Sequence, residues 1–224
     1  MPIRNTALVN QEIYHIFNRG LNSTPIFSQK NDYQRFLDSF LYYQNYHPPY
    51  KFSFLKTLST VRRNELLKKL RTSHNWQIEI ITYCLMPNHF HFLLKQLKDQ
   101  GITNFIRCLN DSYSHYFNLK YQRKGSLFEG RFKAVRVETD DQLIHLSRYI
   151  HLNPYSSFLV VKINQLSNYL YSSLNEYLGT TQEKICQKEI ILDQFQSINK
   201  YKKFVFDQAD YQKTLEQIKH QLFD

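Results

Sequence analysis

The 224-residue chain is poor in the features that mark secreted or membrane proteins. It has three cysteines, Cys84, Cys108 and Cys186, far apart and without a Cys-x-x-Cys pair. An odd, scattered set argues against a disulfide framework and a zinc ribbon, and it fits a reducing cytosol. No apolar run approaches the ~20 residues that span a bilayer. The stretch Met1-Pro2-Ile3-Arg4-Asn5-Thr6 lacks the basic-then-apolar build of a signal peptide. A cytoplasmic protein with no membrane partner is the expectation. There is no internal repeat and no low-complexity tract. Acidic residues are scarce as well: 19 Asp and Glu face 29 Lys and Arg, giving a formal net charge of +10.

What the chain has in abundance is basic and aromatic, with 17 Tyr and 17 Phe. Cations contact phosphate and aromatic faces stack on unpaired bases, so this composition suits nucleic acid. It also describes any soluble basic protein, so motifs must decide. A hydrophobic content of 42% allows one fair-sized domain, or one domain with a helical extension.

Hydrophobic periodicity orders the chain. Glu12 to Asn18 is β-branched and aromatic and reads as a strand ended by Arg19-Gly20. Asn31 or Asp32 can cap a helix running to about Tyr46, with Phe36, Leu37, Phe40, Leu41 and Tyr43 on its apolar face. Residues 61–71 form a basic amphipathic helix inside an insertion at 50–73, read as a solvated surface element. Trp76 to Met86 and His89 to Gln96 make a hairpin about Pro87-Asn88. A long helix opens at Gly101 and runs to about Tyr121. The basic loop Lys120 to Gly125 and the segment Phe128 to Lys133 lead into a fourth strand ending at Glu138. The loop's glycine spacing lacks the Lys-Ser/Thr of a phosphate-binding P-loop and does not sit between a strand and a helix. Thr139-Asp140-Asp141-Gln142 has the form of a capping box, and its helix is expected to stop at Asn153 before Pro154. The pattern βαββαβ predicts an α+β, ferredoxin-like core, an antiparallel sheet with helices on one face. An extra helix at 140–153 follows. We divide the chain into a catalytic domain at 1–155 and a helical C-terminal extension at 156–224.

Two clusters carry chemistry. In His89-Phe90-His91 the two imidazoles project to one face of a strand, while Phe90, Phe92 and Leu94 project to the other. A histidine pair at a strand's mouth is the geometry of a two-histidine metal site, although spacing alone leaves two structural histidines equally open. In the helix before Pro154, His145, Tyr149 and Asn153 share a face at intervals of four residues. Tyr149 could serve as a nucleophile and Asn153 as a third metal ligand if that face meets the histidines. A surface tyrosine and a helix-stopping asparagine explain the same residues.

Five motifs in order resemble a known family: Tyr14-His15-Ile16-Phe17-Asn18-Arg19-Gly20, Met86-Pro87-Asn88-His89-Phe90-His91, Gly125 to Lys133, Arg148-Tyr149-Ile150-His151-Leu152-Asn153-Pro154, and Tyr171 to Gly179. They resemble the single-tyrosine HUH transposases, most closely the REP-associated tyrosine transposase branch. The resemblance implies that His89 and His91 hold a divalent metal, Mg²⁺ or Mn²⁺, with Asn153 helping to ligate it. It implies that Tyr149 is the catalytic tyrosine. It assigns nothing to His15, His145 or His151. The activity implied is metal-dependent cleavage and strand transfer of single-stranded or hairpin DNA through a 5′-phosphotyrosine. Lys120, Arg123, Lys124, Arg131, Lys133 and Arg136 are the expected phosphate contacts, with Tyr121 and Phe128 as stacking platforms. The alternatives are a DNA-binding protein that kept the fold without cleavage, and a metal-dependent hydrolase of a small phosphoester. Whether the protein is a monomer or a homodimer, and whose histidines each Tyr149 serves, stays open at this level.

Overall fold

The computed structural model describes residues 7–223, with side chains through Gln217. The N-terminal stretch read for a signal peptide lies outside the described residues. In chain order the elements are β1 (Ile13–Arg19), α1 (Lys30–Tyr43), α2 (Thr60–Ser73), β2 (Ile78–Met86), β3 (His89–Gln96), α3 (Gly101–Lys120), β4 (Lys133–Arg136) and α4 (Asp140–Ser156). Short helices α5 (Leu174–Tyr177) and α6 (Glu189–Leu192) follow, then α7 (Ile198–Phe206) and α8 (Ala209–Phe223).

The four strands form one sheet in the order β2-β3-β1-β4, every neighbouring pair antiparallel. This is the ferredoxin-like order expected of βαββαβ. The sheet separates two unlike layers. On one face, Phe90 and Phe92 of β3 meet Phe36 and Phe40 of α1, and Phe40 meets Phe105 of α3. All five rings are fully buried. On the other face lies α4, whose Tyr149 ring stands 5.6 Å from the His91 ring. Helices therefore cover both faces once α4 is counted, and this is why β2 is buried almost throughout rather than on alternate residues. A one-residue shift in register between Ile80 and Thr82 helps, by changing which β2 residues face α4.

Several boundaries differ from the sequence expectation for identifiable reasons. Asp32 does not cap α1. Gln29 is the cap, and Asp32 sits three residues in, accepting from the amides of Ser28 and Gln29 at 3.0 and 2.9 Å. β4 ends at Arg136, two residues short of Glu138. Thr139 caps α4 by accepting from the Gln142 amide at 3.1 Å, as the capping box implies. Pro154 does not stop α4, which runs to Ser156 with the proline inside its last turn. Proline has no amide hydrogen to give to Ile150, so the helix is locally unlatched there. The Tyr149 carbonyl accepts from Asn153 Nδ2 at 2.8 Å and from Gln212 Nε2 of α8 at 3.1 Å. Helix α2 has no buried residue, in keeping with a solvated insertion.

The C-terminal segment backs α4. Tyr201 of α7 is fully buried, and its hydroxyl lies 2.8 Å from His151 Nδ1 and 3.1 Å from Ser147 Oγ. His151 Nε2 is 2.8 Å from Ser173 Oγ, on a segment that pairs with the edge of β2 through Ser172 and Cys84. Burial pushes the His151 imidazole down to about 3, so it is neutral in this network. One histidine thus ties the tyrosine helix to α7 and to the sheet edge.

A second polar cluster anchors α3 to α1. The fully buried Asp32 carboxylate accepts from Lys120 Nζ at 2.6 Å, Tyr121 Oη at 2.7 Å and Tyr116 Oη at 3.0 Å. Burial alone would raise this carboxyl, but the hydrogen bonds from Lys120, Tyr121 and the two amides outweigh it and hold it below its usual 3.8. A depressed folded value means that the unfolded chain takes the proton first as pH falls. Stability from Asp32 is therefore complete above about pH 5 and is lost progressively below 3.8. Replacing Asp32 by Ala, which strands a cation and two amides, is expected to cost about 3 kcal/mol at pH 7. Urea denaturation from pH 3 to 7 should show the loss and a flatter acid limb in the variant.

Candidate active site

The site grows from strand register. Arg19 pairs with His89 and Phe17 with His91 across β1 and β3, and Phe17 pairs with Lys133 across β1 and β4. Residues opposite one another in an antiparallel pair share a face. Arg19, His89, His91 and Lys133 therefore lie on the same face of the sheet, the one that α4 covers. A cleft of about 680 Å³ opens there, lined by these four side chains together with Tyr149 and Asn153. The sequence-derived histidine pair and the sequence-derived tyrosine face, 60 residues apart in the chain, meet in it.

Each histidine is held by a neighbour. The His89 and His91 rings are 5.0 Å apart and nearly perpendicular. Asn88 Oδ1 is 2.6 Å from His89 Nδ1, and Asn88 Nδ2 donates to the Ser23 carbonyl at 3.2 Å. An amide oxygen only accepts, so His89 carries its proton on Nδ1 and keeps the Nε2 lone pair. Asn88 is itself fixed because the turn carbonyls are occupied. Pro87 O accepts from Ile26 and Phe27, and Asn88 O accepts from Gly20. Gly20 permits this close passage, since a β-carbon there would come within 2.1 Å of the Thr24 carbonyl oxygen. Burial pushes His89 down to about 4, with Glu216 opposing and Arg19 assisting, so the ring is neutral at pH 7.

The donor set suits a divalent cation. Neutral imidazoles are the ligating form, and His89 presents a bare nitrogen. Asn153 is 6% exposed, and its Nδ2 is committed to the Tyr149 carbonyl, which leaves Oδ1 as the atom free to face a cation. Among the described residues no three His, Cys, Asp or Glu side chains form a metal cluster, so among them a cation held here would draw on the asparagine oxygen beside the two histidines.

Tyr149 is half-buried, and its ring stands edge-on to both His91 and His15, at 5.6 and 6.2 Å. The tyrosine thus reaches the histidines of its own chain. Its phenol is pushed up to about 12, first by burial and then by the negative charge of Glu216, with Asn153 opposing. Glu216 lies on α8 and lines the cleft. A carboxylate this far along the chain carries no local motif, and the sequence offered no signal for it. His15 and Asn88 stand inside the quoted motifs, but nothing in their spacing marks them as partners of the histidines. Arg19 also joins the site unforeseen, in a two-pronged pair with Glu129 that includes Arg19 Nη2 to Glu129 Oε1 at 3.1 Å.

The expected DNA contacts divide. Lys133 lines the cleft. Arg131 and Lys124 are exposed, and Arg123 is half-buried against the Phe117 ring. Arg136 pairs with Glu12 at 2.8 Å at the far end of β4. Lys120 and Tyr121 are taken up by Asp32. Phe128 is 5% exposed and packs edge-on against Phe90, so its ring belongs to the core rather than to a stacking surface.

Comparison with known proteins agrees with this geometry. A family model described as IS200-like transposase matches residues 47–153, just under half of the chain, and that segment includes His89, His91, Tyr149 and Asn153. Over this segment the chain is similar to the IS200-like transposases. Its fold is shared with a solved REP-associated tyrosine transposase bound to a REP hairpin, at 13% identity and a TM-score of 0.54, covering 83% of this chain and 90% of that one. A search of curated proteins gives no match. Among the described residues, no helix is long and apolar enough to cross a membrane.

The Tyr149 environment makes a direct prediction. Removing the negative charge in Glu216→Gln should lower the Tyr149 titration from its raised value, because a nearby anion disfavours the phenolate. Tyrosine-ring carbon NMR, with Tyr149→Phe to assign the signal, reads the shift. A titration unmoved by the substitution would remove Glu216 from the tyrosine's environment.

Proposed function

We propose that this chain is a metal-dependent single-strand DNA endonuclease and strand transferase of the REP-associated tyrosine branch, acting on hairpin-associated DNA. The observation that carries the reading is Tyr149 standing over the histidine pair of the same chain, with Arg19 and Lys133 beside it on one sheet face. The residues at 1–155 form the catalytic unit. The tail from 156 buttresses it through Tyr201 and Gln212.

In this mechanism His89, His91 and Asn153 would hold Mg²⁺ or Mn²⁺, which when bound neutralises charge on the reacting phosphate. Lys133 and Arg19 draw the DNA backbone onto the sheet face. Tyr149 Oη attacks phosphorus, the bond to the 3′ oxygen breaks, and the tyrosine carries the 5′ phosphate while the leaving strand takes up a proton as its 3′-OH. The phosphotyrosine conserves the energy of the phosphodiester, so a 3′-OH can reverse the step without ATP. A phenol held near 12 is neutral at physiological pH, so the proton must be drawn off as the bond forms. Arg123, Lys124 and Arg131 extend the phosphate-binding surface, while Arg136 is paired with Glu12. Lys120 and Tyr121, held by Asp32, and the core ring of Phe128 support it rather than touching DNA. The hairpin in the structural relative is the model for the substrate class.

A hairpin oligonucleotide with a single-stranded flank, incubated with Mn²⁺, should give a covalent protein–DNA adduct in a denaturing gel. Tyr149→Phe should abolish it. An adduct of undiminished yield in that variant would sink the nucleophile assignment. Tight binding with no adduct over varied hairpins and metals would favour a non-catalytic binding protein instead. Lys133→Ala should weaken hairpin binding and reduce the slope of log K against log salt by about 1.

A further inference from the structure

His15 lies on the same sheet face as the histidine pair, one pleat before Phe17 in β1. It is 8% exposed. Its Nε2 is 2.9 Å from His91 Nδ1. The two rings lie 21° from parallel with centroids 5.1 Å apart. That separation is close to the N···N distance extended by a ring radius at each end. The two nitrogens therefore meet head-on, as in a hydrogen bond. They do not converge at an angle, as two ligands of one ion would. A head-on pair of imidazole nitrogens holds one proton, and where it sits decides what His91 can do. If the proton is on His15, His91 is protonated at Nε2 and that nitrogen has no lone pair for a cation. If it is on His91 Nδ1, Nε2 is bare.

We propose that His15 is a positioning residue: its Nε2 accepts the His91 Nδ1 proton and holds His91 in the tautomer that ligates through Nε2. His15 then does for His91 what Asn88 does for His89. Both imidazoles then have their Nδ1 hydrogen bonded and carry the lone pair on Nε2, as an outer hydrogen-bond partner arranges for a ligating histidine. The requirement on His15 is specific. It must itself be protonated on Nδ1, and it must be a hydrogen-bond acceptor at the position of Nε2. This inference rests on the reading of His89 and His91 as metal ligands, and it adds how one of them is kept in ligating form. His15 lies outside the matched family segment, so the partner of a ligand on β3 comes from the other side of the β1·β3 pairing.

The test separates the two layers. Long-range ¹H–¹⁵N correlation on the whole protein reports the His91 tautomer directly, and the expected result with saturating Mg²⁺ is Nδ1–H on His91 and Nδ1–H on His15. Nε2–H on His91 in that state overturns the proposal. Mn²⁺ binding, followed by the loss of the free-ion EPR signal and without DNA, gives a second measure. His15→Phe, which removes the acceptor, is expected to weaken Mn²⁺ about 10- to 100-fold. His15→Gln, which restores an acceptor oxygen, should recover most of that loss. Unchanged Mn²⁺ affinity in His15→Phe, with binding abolished in His91→Ala, overturns the role of His15 and leaves the metal site standing. Wild-type affinity retained in His91→Ala overturns both.

Discussion

The site depends on the pairing of β1 with β3. That register puts Arg19 opposite His89 and Phe17 opposite His91, and it brings His15 within hydrogen-bond reach of His91. The side-chain period of a strand is two, so a slip by one residue would turn both histidines into the aromatic core and send Phe90 and Phe92 toward α4. Phe90 and Phe92 are fully buried between α1 and the sheet, which makes such a slip prohibitive. The core thus aims the chemistry: the same strand that packs phenylalanines on one face is obliged to present imidazoles on the other.

Presenting the histidines is only half of the construction, because the tyrosine arrives on a helix that a proline loosens. Pro154 removes an amide hydrogen from the last turn of α4, close to Tyr149 and Asn153. The surrounding polar contacts compensate. Gln212 and Asn153 bond to the Tyr149 carbonyl, and His151 is held between Tyr201 and Ser173. The tail is therefore part of the tyrosine's mounting. The same arrangement orients Asn153, whose amide nitrogen is committed within the helix and whose oxygen is left over.

Electrostatics in the cleft pull in two directions. Arg19 and Lys133 favour a phosphate backbone, while Glu216 opposes it and raises the tyrosine. In the proposed mechanism, a nucleophile kept neutral until substrate and cation neutralise its surroundings would be protected from idle reaction. It would also be slow unless the site is fully assembled, which would tie turnover to DNA binding. The surface cations foreseen as one patch serve different ends. Lys120 is spent on Asp32 and Arg136 on Glu12, so net charge overstates the basic surface left for DNA.

The sequence by itself determined the fold class, β3 to the residue, the two-sided character of that strand, and the identity of the histidine pair and the tyrosine face. These follow from local rules, periodicity of two and of 3.6, capping chemistry and turn residues, and a family pattern spread over five motifs. Helix ends were less legible. Pro154 reads as a stop, yet α4 continues because side chains from α8 and from its own turn take over the bonding. Tertiary pairing was illegible at Lys120 and Tyr121, and burial at Phe128: their basic and aromatic character suits DNA, but their partners, Asp32 and Phe90, lie 88, 89 and 38 residues away. Only the tertiary structure decided that Tyr149 stands over its own chain's histidines, that Glu216 shares their cleft, and that His15 Nε2 meets His91 Nδ1 at 2.9 Å. Each of these is a contact between segments remote in sequence, and no local propensity encodes the distance between them.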